Sequence, residues 1–246
     1  MQELEGSVAI VTGAARNIGR AIALDLAEGG AAVTVLTLSD LPGVNAVAAE
    51  IEARGGRALA LQADVTKPED ARRIVDQTLK KFGRLDILVN NAGVRPEGPF
   101  ESMTLEAWHH VMGVILDGPF LCSQAALPAL EQSGRGAIIN IGGLTAYIGA
   151  PERAHVITAK AGLDGLTKAL AVELAPKRIT VNLVAPGMID TKRAGADPAH
   201  RKSRTILAGR LGHPKDVSAM VRHLAGPNGR YITGQSIHVS GGVYLP

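Results

Sequence analysis

A glycine-rich turn set between an apolar strand and a helix does most to limit what this chain can become. Val8-Ala9-Ile10-Val11 is an unbroken apolar run, and Thr12-Gly13-Ala14-Ala15-Arg16-Asn17-Ile18-Gly19 follows it directly into a helical pattern that ends near Glu28. An apolar run without polar alternation suits a strand buried on both faces, which needs helices above and below it. The rest of the chain supplies them. Strand-like runs recur at Val33–Thr37, Ala58–Gln62, Asp86–Asn90, Ala137–Ile141, Thr180–Val184 and Ile237–Ser240, with helical patterns between nearly every pair. This alternation builds βαβ units and a parallel sheet. No linker, repeat or low-complexity segment divides the 246 residues. The expectation is one α/β domain over 1–246, with a doubly wound, seven-stranded parallel sheet flanked by helices. The longest irregular stretch, about 186–212, is rich in Gly, Ala and charge. A loop that long in a compact domain is usually functional, so 188–212 is expected to form a substrate lid.

Composition removes several classes of function. The 26 basic residues nearly balance the 23 acidic ones, which argues against a general nucleic-acid partner. Cys122 is the only cysteine, so no intrachain disulfide forms, and its apolar helical setting suggests a buried small hydrophobe. The start, MQELEGSVAIVTG, has no basic segment leading into an apolar one, as a signal peptide would. No apolar run approaches the roughly 20 residues of a membrane span. The expectation is a soluble, cytoplasmic protein of a reducing compartment, with no membrane or nucleic-acid partner.

The context of the first turn, strand before and helix after, is what a dinucleotide fingerprint requires. Glycine admits the backbone close to a pyrophosphate, and the helix N-terminus offers free N–H groups and a positive dipole end. Further motifs accumulate in order: Asp64-Val65, Asn90-Asn91-Ala92-Gly93, a Lys160-Ala161-Gly162 helix, Pro186-Gly187, Thr233-Gly234-Gln235 and Ser240-Gly241-Gly242. In this order they resemble the short-chain dehydrogenase/reductase family, over practically the whole chain. The resemblance implies a single NAD(P)-binding Rossmann domain, whose glycine-rich turn (Gly13, Arg16, Asn17, Ile18, Gly19) holds the cofactor. It implies that Asp64 and Val65 frame the adenine, and that Asn91, Ala92 and Gly93 line the cofactor cleft. Pro186 and Gly187 lead to Ile189 and Thr191, which meet the nicotinamide amide, and Lys160 binds the nicotinamide ribose. It also implies a homotetramer. Asn17 stands where the family's turn usually has Gly; Asn tolerates left-handed backbone better than other non-Gly residues, so the turn can survive.

The second strand ends Leu36-Thr37-Leu38-Ser39, without the acid that bonds a ribose 2′-hydroxyl in NAD enzymes. Arg16 lies where similar enzymes meet a 2′-phosphate, and Thr37 and Ser39 add hydroxyl donors. NADP is therefore the expected cofactor. NAD stays open, because a shift of one residue brings Asp40 to the ribose.

The family's proton-transfer set is another matter. A Tyr four residues before the Lys acts there as general acid or base, a Ser thirteen residues before the Tyr holds the substrate oxygen, and an Asn follows a helical Trp by seven. Counted from Lys160 and Trp108, these positions hold Val156, Gly143 and Ile115. The segment from Trp108 to Gly118 is similar to that of the 2,4-dienoyl-CoA reductases. Those enzymes carry an aliphatic residue in place of the Asn, lack the Tyr and keep the Lys, and some have a His five residues before it, as His155 stands here. The substrate-holding Tyr of some members falls at Thr145. Two replacement acids suggest themselves. His155 reaches the cleft only if its helix begins after it, since one residue turns a helix by about 100°. Tyr147 lies on the loop that lines the substrate site in similar enzymes. Thr158 reads as a helix hydroxyl bonded to its own backbone. Arg95, Arg153, Lys192, Arg193, Arg201, Lys202 and Arg204 either attract a carboxylate, phosphate or acyl-CoA or form a solvated lid.

Two readings follow. One is a nicotinamide-dependent oxidoreductase with a non-standard site (Lys160, His155, Tyr147), acting on a conjugated or anionic carbonyl. The other is a redox-silent relative that binds the nucleotide for a non-redox reaction or as a binding subunit.

Overall fold

The computed structural model describes residues 2–191 and 204–246. Seven strands form one sheet in the order β3-β2-β1-β4-β5-β6-β7, and every pairing is parallel. They are β1 (Val8–Thr12), β2 (Ala32–Thr37), β3 (Ala58–Gln62), β4 (Ile87–Asn90), β5 (Ala137–Ile141), β6 (Thr180–Pro186) and β7 (Ser236–Val239). The expected strands are all present, with ends shifted by a residue or two. The helices between them are α1 (Asn17–Glu28), α2 (Leu41–Ala53), α3 (Pro68–Phe82), α4 (Leu105–Met112), α5 (Gly118–Ser133), α6 (Thr145–Ile148), α7 (Ala154–Leu174) and α8 (Pro214–Ala225).

The period of two in the strands divides the core between the faces. Ala9 and Val11 of β1 join Ile22 and Leu26 of α1, Val44 and Val47 of α2, and Val217, Val221 and Leu224 of α8. Ile10, between them, joins Ile74 of α3, Cys122 and Leu130 of α5, and Leu174 of α7. Cys122 is buried, as its setting suggested.

Local chemistry sets the helix ends. Asp40 caps α2 by accepting a 3.0 Å bond from the Gly43 N–H. α3 starts with Pro68, carries Glu69 and Asp70 in its first turn and Lys80 and Lys81 in its last, and ends at Gly83 with φ 80°. α4 and α5 are one continuous helical run, Leu105–Ser133, interrupted by a π turn at Gly113–Asp117. An 18-residue window of this 29-residue run has mean hydropathy 1.3, enough by length and composition alone to cross a bilayer, as the core helices of globular proteins also can be. Its apolar positions Cys122, Ala126 and Leu130 are spent on the sheet instead.

Strand order reverses between β1 and β4. In open parallel sheets, ligands bind beyond the carboxyl ends of the strands at such a point. The end of β1 leads to Gly13, the end of β4 to Asn91, and the end of β5 to Gly143. Of the expected lid, residues 188–191 and 204–212 are described, joined by a bridge between Ile189 and Gly212. Lys192, Arg193, Arg201 and Lys202 lie outside the described residues.

Candidate active site

The glycine turn is built around close backbone approach. Gly13 has φ 63°, and a Cβ there would stand 2.9 Å from the Ala92 Cα. A Cβ on Gly19 would fall 2.2 Å from the Gly13 carbonyl oxygen and 2.5 Å from Asn91 Nδ2. Asn17 has φ 52°, the left-handed backbone that its side chain tolerates. Asn91 braces this turn from β4: its amide nitrogen donates to the carbonyls of Thr12 and Gly13, each at 2.9 Å. Thr12 Oγ1 accepts from the Asn91 and Ala92 N–H groups, also at 2.9 Å. Sequence motifs marked Asn91 and Ala92 as cleft lining. The geometry adds that they hold the first turn in shape, a role that only the strand order makes visible.

Arg16 is the exposed N-cap residue of α1, beside this turn. Thr37 is buried at the end of β2, and Ser39 is exposed beyond it. Asp40 already serves as the cap of α2. Asp64 accepts from both the N–H and the hydroxyl of Thr66, at 2.9 and 2.7 Å. Val65 is buried, close enough to Gly118 that a Cβ there would meet it at 2.9 Å. At the far end of the cleft Ile189 is buried, and the buried Thr191 Oγ1 has no partner among the described residues. The cradle that a Cβ would fill and this orphaned hydroxyl both fit a dinucleotide laid from the glycine turn to Thr191. Such a cofactor, when bound, supplies hydride chemistry.

The three positions counted from Lys160 and Trp108 hold apolar residues or glycine. Ile115, in the π turn, and Val156, in α7, are buried in one cluster with Val111 and Ala159. Ile115 and Val156 thus belong to one buried apolar cluster. Gly143, after β5, faces open room: a Cβ there would touch nothing within 4 Å. Lys160, one turn beyond Val156, is partly buried, and its Nζ donates to the Ile141 carbonyl. It lies 3.9 Å from where a Cβ on Gly93 would stand. Burial, with the positive charge of Arg95, brings its pKa down to about 8.

The two replacement acids are placed differently. α7 begins at Ala154, so His155 lies inside the helix. It shares a side with Ala159 and Leu163, both buried, and is itself only 3% exposed. Burial lowers its pKa, and its Nδ1 has no partner among the described residues. Tyr147, in α6, donates its hydroxyl to Asp164 Oδ1 at 3.0 Å. Its ring packs edge-on to His238, with centroids 4.4 Å apart, and burial pushes the phenol up to about 12. Sequence reading missed Asp164, which gathers Tyr147, Ser236 and Lys168. Its position, four residues after Lys160, was the available signal. Thr145 opens α6, and Thr158 is exposed on α7. Arg153 is buried with its Nε 2.9 Å from Glu97, so it is no free cation at the mouth. Arg95 has an exposed side chain. Arg204 reaches the Gly149 carbonyl at 3.2 Å.

Comparison with known proteins identifies the family. The family model described as enoyl-(acyl carrier protein) reductase matches residues 13–244. The chain is 41% identical, over all 246 residues and the full length of the relative, to a 3-oxoacyl-[acyl-carrier-protein] reductase of Synechocystis sp.. A crystal structure of a dehydrogenase/reductase from Sinorhizobium meliloti 1021 superposes with TM-score 0.93 and 39% identity, covering 99% of this chain and 97% of the other. A blue fluorescent protein from a metagenomic library, crystallised in complex with NADPH, gives TM-score 0.91 and 38% identity over 99% of this chain and 100% of its own. With its strand order, glycine turn and lysine helix in these places, the chain belongs to the short-chain dehydrogenase/reductase family.

Proposed function

We propose that this protein is an NADP(H)-dependent oxidoreductase whose substrate oxygen meets neither a phenol nor a serine hydroxyl. One observation carries the reading. The glycine turn keeps its tight backbone contacts, while Ile115 and Val156 are buried in one apolar cluster and a Cβ at Gly143 would meet nothing within 4 Å. Three features support NADP(H) over NAD(H): the exposed Arg16, the engagement of Asp40 as a helix cap, and the NADPH held by one structural relative. The relatives' names suggest a β-oxoacyl thioester as one substrate class. The apolar cluster suggests a carbonyl that stabilises its own oxyanion by conjugation, and the exposed Arg95 suits an anionic one. Gly13, Asn17, Ile18, Gly19, Asn91, Ala92 and Gly93 hold the nucleotide; Asp64, Val65, Pro186, Gly187, Ile189, Thr191 and Lys160 complete its site. A cytoplasmic setting and a homotetramer belong to this reading. The tetramer is supported by apolar side chains left exposed on α4, α5 and α7, namely Leu105, Phe120 and Val172. The test is NADPH consumption by a panel of acetoacetyl, 2,4-hexadienoyl and 2-oxo-acid substrates beside plain ketones. Turnover confined to the conjugated or anionic members supports the proposal. No turnover with any of them favours the redox-silent alternative, which the same cluster motivates.

A further inference from the structure

Removing the phenol from a site of this kind leaves a reaction without its proton donor. The described residues offer few replacements. His155 is sealed on the Ala159–Leu163 side of α7. Tyr147 is turned to Asp164, and a phenol already donating to a carboxylate has no second proton to give. Arg95 does not release a proton in water's working range. Thr158 is exposed on the helix.

Lys160 differs from all of these. Its Nζ is held by the Ile141 carbonyl, at the carboxyl end of β5 and two residues before the open position at Gly143. One of three N–H bonds is used there, leaving two for a ligand. One turn back, Val156 ends in methyl groups and is buried in the apolar cluster, so it places no hydroxyl between the ammonium and the open room. No carboxylate pairs with Lys160 among the described residues. Ionisable groups stand on the elements packed around α7, including Asp117 of the π turn. Asp164, on its own helix, is engaged by Lys168, Ser236 and Tyr147. Arg95 comes from the loop after β4. Glu106, His109 and His110 of α4 are exposed, as is Asp190 after β6.

We propose that Lys160 is itself the general acid of this enzyme, giving its proton directly to a substrate oxygen lodged beside Gly143. The inference rests on the oxidoreductase reading above. A reduced nicotinamide, when bound, would supply the hydride. As the substrate carbon gains it, the π pair of the C=O (or of the conjugated system ending in it) moves onto oxygen. One N–H bond of the Lys160 ammonium breaks and an O–H bond forms. The amine is left neutral and recovers its proton from water. In the reverse direction the neutral amine takes the hydroxyl proton. The role departs from that of a lysine that serves a neighbouring phenol. It also explains why a burial that weakens the ammonium is useful: an acid near neutral pH transfers its proton most readily.

Two measurements test this. The first needs no substrate. Competitive labelling of the apo protein with acetic anhydride, from about pH 6 to about pH 11 with mass-spectrometric readout, reports the titration of each lysine. Lys160 is expected to titrate near 8. Titration in the ordinary lysine range overturns the proposal, even if every substrate in the panel is turned over. The second uses single-turnover oxidation of enzyme-bound NADPH by acetoacetyl or 2,4-hexadienoyl thioester. The rate is expected to be level at low pH and to fall as pH rises through the Lys160 titration. Lys160→Arg keeps charge and length but cannot release a proton, so it should bind NADPH within about threefold of wild type while losing about 100-fold or more in rate. A lysine that only positions the cofactor would be rescued by arginine, and a Lys160→Arg rate close to wild type overturns the proposal. If no substrate is reduced at all, the oxidoreductase reading has failed instead. The labelling result then still shows whether Lys160 holds an acid's pKa.

Discussion

Single residues carry the proposed choice of cofactor and of reaction. Arg16 stands exposed at the turn where a 2′-phosphate would lie, while the one nearby acid, Asp40, is occupied with the Gly43 N–H. Arg16→Ala should therefore weaken NADPH binding by about tenfold or more, since hydrogen bonds to charged groups contribute about 1.5–3 kcal/mol. NADH binding should change little. Isothermal titration of both nucleotides decides the matter, and tighter binding of NADH by the wild type would contradict the assignment. The reacting end gives a second prediction. Gly143→Ser enters open space and should leave the melting temperature nearly unchanged. Paired with Val156→Tyr it restores a phenol and a hydroxyl, and reduction of a plain ketone should rise about 10²-fold, the lower range of what general acid–base catalysis supplies. Calorimetry and an NADPH assay on cyclohexanone check the two parts. If plain ketones are already reduced quickly by the wild type, the weight placed on these positions is wrong.

At the scale of elements, what the sequence made legible was the periodic part. Short, largely apolar runs marked all seven strands, and the Gly13–Gly19 spacing marked the strand-to-helix turn. Asn17 was readable too, because few residue types accept its left-handed φ. The fate of His155 was not readable, since it depends on where α7 begins, and one residue of uncertainty there turns the ring from cleft to core. The Tyr147–Asp164–Ser236 grouping was hidden for another reason: it joins α6, α7 and β7, which only the packed sheet brings together. The glycine turn allows a sharp test of this scale. Gly19→Ala should abolish measurable NADPH binding and lower the melting temperature, because its Cβ would overlap the Gly13 carbonyl. Gly134→Ala is the contrast: nothing stands within 4 Å of its Cβ, and only its left-handed φ of 69° resists the change. It should cost about 1 kcal/mol in stability and leave the nucleotide bound. Equal nucleotide affinity in Gly19→Ala and wild type would show that the turn is not the cradle.

For the whole molecule, the N-terminal segment is tied to α1 and to α8, far along the chain. Arg222 of α8 binds Glu3 through two nitrogens and also meets Asp25 of α1 at 3.1 Å, while the Leu4 N–H donates to the Gly29 carbonyl at 2.8 Å. The hydrogen bond from Arg222 pulls the Glu3 carboxyl down to about 2 from its ordinary 4.5. At the start of α8, the bond from Arg210 draws Asp216 from 3.8 to about 2. Both carboxyls are more acidic in the folded protein than in the unfolded chain, so the unfolded chain binds more protons between those values. Their contribution is complete above about pH 4.5 and is lost as pH falls toward about 2. Both groups are partly exposed, so salt should reduce the effect. Melting temperatures taken from neutral to acid pH should fall most steeply in that window, and Glu3→Gln should make the fall shallower by removing one of the two protonations. A Glu3→Gln profile that runs parallel to wild type through the window would mean that the clasp between the N-terminal segment and α8 does not carry this share of acid stability.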